Sequence, residues 1–129
     1  MLSRNCDRGE ITFDQIKDMF RLMTEHNGLG LAAPQAGINA RVFVTAWGQV
    51  FYDPQFRLRT HLCWSEEGCL SIPGVTIKVP RWRHVLLESG EWFHDLKAFV
   101  IQHEYDHLNG QLISHRYAWS AGCLAESSR

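Results

Sequence analysis

The stretch His103-Glu104-Tyr105-Asp106-His107 constrains this chain more than any other. It closes a segment, from about Leu96 to Leu108, in which Leu96, Phe99 and Val100 recur at helical spacing on the face that also carries His103 and His107. Residues four apart stand on one side of a helix, so both imidazoles point inward to the same place. Burying two imidazoles without partners is costly, and a metal ion supplies the partner. Glu104, beside the first histidine, can reach a water on such an ion. Asp95 reads as the N-cap of this helix, and Asn109-Gly110 as its stop.

The rest of the chain must build a pocket around that helix. At 129 residues it forms one domain large enough to fold without disulfides. The formal charge of −1 excludes a general attraction to nucleic acid or anionic membrane. Arg81, Arg83 and His84 flank Trp82, a small basic cluster that reads as a solvated strand end. No apolar run is long enough to span a bilayer, and MLSRNCDRGE lacks the apolar segment of a secretory signal. The expectation is a cytoplasmic protein, whose Cys6, Cys63, Cys69 and Cys123 are thiols or metal ligands.

Ahead of the histidines, Thr12 and Gln15 form a capping box for a helix to about His26. Phe13, Ile16, Met19, Phe20 and Met23 make its apolar stripe, and Asn27-Gly28 ends it. Gly28 to Gly37 (GLGLAAPQAG) reads as loop, and it is no dinucleotide fingerprint, because no strand precedes it and no helix follows. Strands are expected at Arg41 to Ala46, Gln49 to Tyr52 and about Leu58 to Trp64. Two more, Val75 to Val79 and His84 to Glu88, are separated by Pro80, with a turn at Ser89-Gly90. This pattern predicts an α+β fold: antiparallel sheets packed around a central helix bearing the H-E-x-x-H residues, plus an N-terminal helix.

A catalytic metal usually takes three protein ligands and keeps one position open. Downstream, Glu126 falls in a tail, and His115 lacks the metzincin spacing. Upstream, in Glu67-Gly68-Cys69-Leu70-Ser71, Cys69 stands beside a glycine that permits close backbone approach. The residues alone leave open a zincin-like endopeptidase, and also a closed structural Cys2His2 site completed by Cys63.

GLGLAAPQ (Gly28 to Gln35), EGCLS (Glu67 to Ser71) and QHEYDH (Gln102 to His107) resemble, in order, the three signature motifs of the peptide deformylases. Ile72-Pro73, Val79 to Arg81 and His107 to Gly110 extend the resemblance, which covers Thr12 to about Tyr117. It implies a metal-dependent amide hydrolase that releases formate from the N-terminal formyl-methionine of new polypeptides. Cys69, His103 and His107 would ligate one divalent metal, Fe2+ natively, with Ni2+ or Zn2+ as substitutes. Glu104 would be general base and then general acid, while the Gln35 amide and the Leu70 backbone N–H hold the developing oxyanion. Gly30 would contact the substrate backbone. Helix geometry and the resemblance together assign Phe99, Val100 and Leu29 to the methionine pocket. Arg81 is expected to pair with Glu67, either in support of the metal, as metal sites commonly need, or as a surface ion pair. The implied setting is a monomer in the cytoplasm of a bacterium, or of a host cell for a phage protein, near the ribosomal exit. Against the family pattern, residues 1–129 read as one catalytic domain shortened at both ends. The stretch from Val85 to Leu96 reads as a trimmed hairpin, and Asp53 precedes Pro54 where Asn is usual.

Overall fold

The computed structural model describes residues 10–69 and 72–110, with backbone alone at Cys69 and at residues 72–75. Leu70, Ser71, Cys6, Cys123, His115 and the C-terminal segment lie outside the described residues. Helix α1 spans Phe13–Glu25 behind the expected capping box: Thr12 N–H donates to Gln15 Oε1 at 2.9 Å, and Gln15 N–H to Thr12 Oγ1 at 3.1 Å. Ile16, Met19 and Met23 are buried, but Phe13 departs from the stripe and stays 74% exposed beneath the Lys17 ammonium. Ile11, just before the N-cap, packs at the edge of the same cluster as Ile16, the placement of a hydrophobic staple that leaves Phe13 outside.

The GLGLAAPQAG segment is not loop throughout. Gly30–Ala32 forms strand β1, followed by a 3-10 turn at Ala33–Ala36. Small residues carry little strand preference of their own. What holds β1 is antiparallel pairing with β2, Val42–Thr45, which pairs in turn with β3, Val50–Tyr52. All three β1 residues are buried between α1 and the second helix.

A second three-stranded antiparallel sheet is dominated by β4, Phe56–Cys69, and β5, Ile72–Leu87, with β6, Trp92–His94, on its edge. The two strands expected on either side of Pro80 are one continuous strand. Trp82 explains why: its N–H and C=O both bond the Gln102 side chain, not β4. Pro80, two residues earlier in an unbroken register opposite Trp64, aims its nitrogen to the same outer side. A proline there costs the β4–β5 ladder no hydrogen bond. The turn at Ser89-Gly90 joins β5 to β6 in a tight hairpin, as the compressed segment implied.

Helix α2 spans Asp95–Leu108. Asp95 is not its cap: His94 holds that position, and the Asp95 carboxylate accepts from Arg83 Nε at 2.7 Å. The buried residues of α2 lie on more than one side. Ala98, Ile101 and Leu108 join a core cluster that draws Phe43 and Phe51 from the first sheet and Val85, Leu87 and Phe93 from the second. A helix held between two sheets needs no single apolar stripe, so Leu96, expected on the inner face, is 58% exposed. The helix ends at the Asn109 cap and Gly110, whose φ of 75° favours glycine. Arg41 secures that end, donating to the Leu108 carbonyl and Asn109 Oδ1, while its Nε donates to Asp53 Oδ1 at 2.6 Å. Asp53 keeps a positive φ of 45°, a conformation Asp tolerates, and adds the charge that Arg41 pairs with. The architecture is α+β: two antiparallel sheets and two helices.

Candidate active site

Helix α2 sets His103 and His107 one turn apart, with their Nε2 atoms separated by 3.2 Å. Two nitrogens, each about 2.0–2.1 Å from one ion at the tetrahedral angle, would stand about 3.3 Å apart. The imidazoles therefore fit a single small cation without rearrangement. Among the described residues no set of three His, Cys, Asp or Glu is grouped for a metal ion. Cys69, at the end of β4 two positions beyond Glu67, has only its backbone described. Cys63, the extra thiol of the closed alternative, pairs with Arg81 across the sheet and does not line the cavity described below. Burial holds its thiol above the usual pKa.

His103 is oriented from behind. Its Nδ1 lies 2.8 Å from Glu67 Oε1, which makes Nδ1 the protonated nitrogen and leaves Nε2 the lone pair that a metal requires. Glu67 is gripped by Arg81, whose Nε and Nη2 donate to its two oxygens at 2.7 and 2.6 Å. The third arm of Arg81, Nη1, donates to Asp106 Oδ2 at 2.7 Å. Arg81 is 1% exposed, so the basic cluster read as a solvated strand end divides: Arg81 turns inward, His84 is half-buried, and Arg83 stays in solvent. The expected Arg81–Glu67 pair is present, and it is buried. Burial alone would push the Glu67 carboxyl up. The hydrogen bonds from Arg81 and His103 and the Arg81 charge outweigh it and hold the carboxyl at about 2. Burial works against the Arg81 charge as well, and the bonds and charges of Glu67 and Asp106 overcome it and raise its pKa.

Gln102 docks this helix. Its Oε1 accepts from Trp82 N–H at 2.8 Å, and its Nε2 donates to the Trp82 and Ala98 carbonyls at 2.7 and 2.9 Å. The side chain thus completes the outer edge of β5 where β6 does not reach. Sequence reasoning missed both Gln102 and Asp106. The available signal was their polarity within a segment otherwise destined for burial.

A cavity of about 510 Å³ opens beside the histidines. Leu29, Gly30, Gln35, Phe99, Val100, His103 and Glu104 all line it, as do Glu67 and Leu96. His107 is buried and does not line the cavity. Gly30 is dictated by Glu104: a Cβ at position 30 would lie 2.8 Å from Glu104 Oε2 and 2.9 Å from its Cγ. The Glu104 carboxylate therefore rests against the bare Cα of β1. Gln35 sits on the 3-10 turn, and its Oε1 accepts the Ala32 N–H at 2.9 Å. That bond fixes the plane of the amide, whose other end is an N–H donor. Leu70, expected as a second donor, lies outside the described residues.

The polypeptide deformylase family profile matches residues 4–121. The chain is 42% identical over 122 residues to a peptide deformylase of Pseudothermotoga lettingae, covering 85% of this chain and 71% of that one. It is 45% identical over 112 residues to a peptide deformylase of Clostridium botulinum, covering 78% and 76%. Among solved structures, the class I type b peptide deformylase of Acinetobacter baumannii superposes with a TM-score of 0.77 at 34% identity, covering 89% of this chain and 91% of that one. The match extends over nearly the whole chain, and the chain belongs to the polypeptide deformylase family.

Proposed function

We propose that this chain is a peptide deformylase in which Cys69, His103 and His107 hold one divalent metal ion, Fe2+ natively and Ni2+ or Zn2+ as substitutes. The reaction hydrolyses the formyl amide of an N-terminal formyl-methionine, releasing formate and a free α-amine. The observation that carries the reading is the pair of Nε2 atoms 3.2 Å apart, with His103 and Glu104 lining a cavity that Gln35 also lines. When bound, the metal supplies Lewis-acid chemistry, polarising a carbonyl and lowering the pKa of water.

The chain's own residues divide the remaining work. Glu104, buried against Gly30, takes the proton of the attacking water as the new C–O bond forms. It returns that proton to the methionine nitrogen as the C–N bond breaks. The Gln35 N–H end and the Leu70 backbone N–H donate to the carbonyl oxygen as it gains negative charge; removing one such donor typically costs about 10²–10³ in rate. Leu29, Phe99 and Val100 give the methionine side chain an apolar wall, and the Gly30 backbone aligns the peptide. Glu67 and Arg81 act through His103, keeping its Nε2 available.

Residues 1–129 act as one catalytic domain, a monomer working in the cytoplasm on chains leaving the ribosome. No described helix is long and apolar enough to cross a membrane. The test is formate release from an N-formyl-Met tripeptide by protein loaded anaerobically with Ni2+ or Fe2+. Turnover by the parent that Glu104→Ala lacks is the expected result. No turnover with one metal bound per chain would overturn the reading.

A further inference from the structure

We infer that His84 and His94 form a second metal site, which takes a late transition-metal cation such as Zn2+ on the outer sheet, away from the catalytic cavity. The two residues are register partners, His84 on β5 directly opposite His94 on β6. Their Nδ1 atoms lie 2.8 Å apart, so in the metal-free chain one ring donates its N–H to the other. Both rings thus aim the same nitrogen at one point between the strands. A cation about 2.0–2.1 Å from each nitrogen needs them about 3.3 Å apart, an opening of roughly half an ångström. His94 is exposed and His84 half-buried, so a small side-chain rotation provides it.

The surroundings favour a bound cation. Trp92 lies nearly parallel to His94, with an interplanar angle of 10°, and His61 meets His84 edge-on at 5.2 Å. These contacts limit the orientations open to the two rings, which reduces the entropy lost on coordination. The neighbouring Arg83 is paired with Asp95 at 2.7 Å, which offsets its charge next to the two rings. Among the described residues no third protein ligand joins the two imidazoles, so the other positions fall to water, which makes this the weaker site. Neither histidine lines the catalytic cavity. His94 is the N-cap residue of α2, so a bound cation would pin β6 to β5 where that helix begins.

The test is a calorimetric titration of Zn2+ into protein that already holds one Zn2+ per chain, with the histidine ring protons followed by NMR. The parent should take up a second equivalent, and the ring resonances of His84 and His94 should be the ones displaced. His84→Ala and His94→Ala should each weaken that equivalent by more than about tenfold, a loss of the size seen when a metal site loses support. His61→Ala should change it only slightly, and circular dichroism of the variants should match the parent. The inference is overturned if no second equivalent appears up to millimolar Zn2+. It is equally overturned if the parent's shifts fall on other histidines, or if the His84→Ala/His94→Ala double variant retains the second equivalent. The ring resonances report on this site whether or not the chain releases formate.

Discussion

Replacing Arg81 with Met tests the centre of the site. The guanidinium is 1% exposed and makes three charged hydrogen bonds of 2.6–2.7 Å, two to Glu67 and one to Asp106. Methionine fills much of the same volume but donates nothing, so two carboxylates are left in the interior without their cation. Removing one partner of a buried pair costs about 3–5 kcal/mol, because the remaining charge stays desolvated. Against a domain stability of about 5–15 kcal/mol that is a large fraction. It corresponds to a fall in Tm of roughly 10–20 °C for a chain of this size. Urea unfolding followed by tryptophan fluorescence measures the loss directly. Arg81→Met, Glu67→Gln and the double variant should be strongly non-additive, the double costing little more than Arg81→Met alone. Metal affinity should drop about 10–100-fold in Arg81→Met, because Glu67 would no longer hold His103. A loss below about 1 kcal/mol, or strict additivity, would refute the claim that this network is buried and coupled.

Gly30→Ala should leave the metal content unchanged yet lower kcat by about 10²–10⁴, since the new methyl displaces the Glu104 carboxylate; formate release with metal analysis checks this, and a normal rate would show that the carboxylate does not depend on the bare Cα. The Glu67 carboxyl falls from an ordinary 4.5 to about 2 on folding, so its ionised form stabilises the fold fully above pH 4.5 and that contribution disappears as the pH drops toward 2. The parent should therefore lose its stability advantage over Glu67→Gln across that window, whereas parallel pH curves would contradict the assignment. Gln102→Leu leaves the Trp82 N–H and C=O unanswered at the edge of β5 and should cost about 2–4 kcal/mol in urea unfolding.

Much of the local structure was legible because its causes are local. The Thr12–Gln15 box announced the start of α1, Asn109-Gly110 announced the end of α2, and the segments expected as strands all fall within β2 to β5 or their edges. His103 and His107 share a helical face by spacing alone, and the structure brings their Nε2 atoms to 3.2 Å. The residues expected around them, Leu29, Gly30, Gln35, Phe99, Val100 and Glu104, line one cavity. Helical spacing and the family resemblance together could name those residues, but not the contacts that orient them.

Where the causes are non-local, the letters were silent or misleading. Gly30–Ala32 becomes a strand only because β2 pairs with it, and Gly30 is required only because Glu104 arrives from a helix more than seventy residues away in sequence. Pro80 reads as a break, yet the pairing places its nitrogen on the side of the strand that does not face β4. The sequence suggested that Arg81 pairs with Glu67, but only the fold adds Asp106 from another element and buries the pair. Propensity, caps and helical spacing depend on neighbours within a few residues, so the sequence alone determined the helices, most strands and the pairing of the histidines. Burial, strand pairing and charge compensation depend on which distant segments meet, so only the tertiary structure decided how His103 is held and where Glu104 rests.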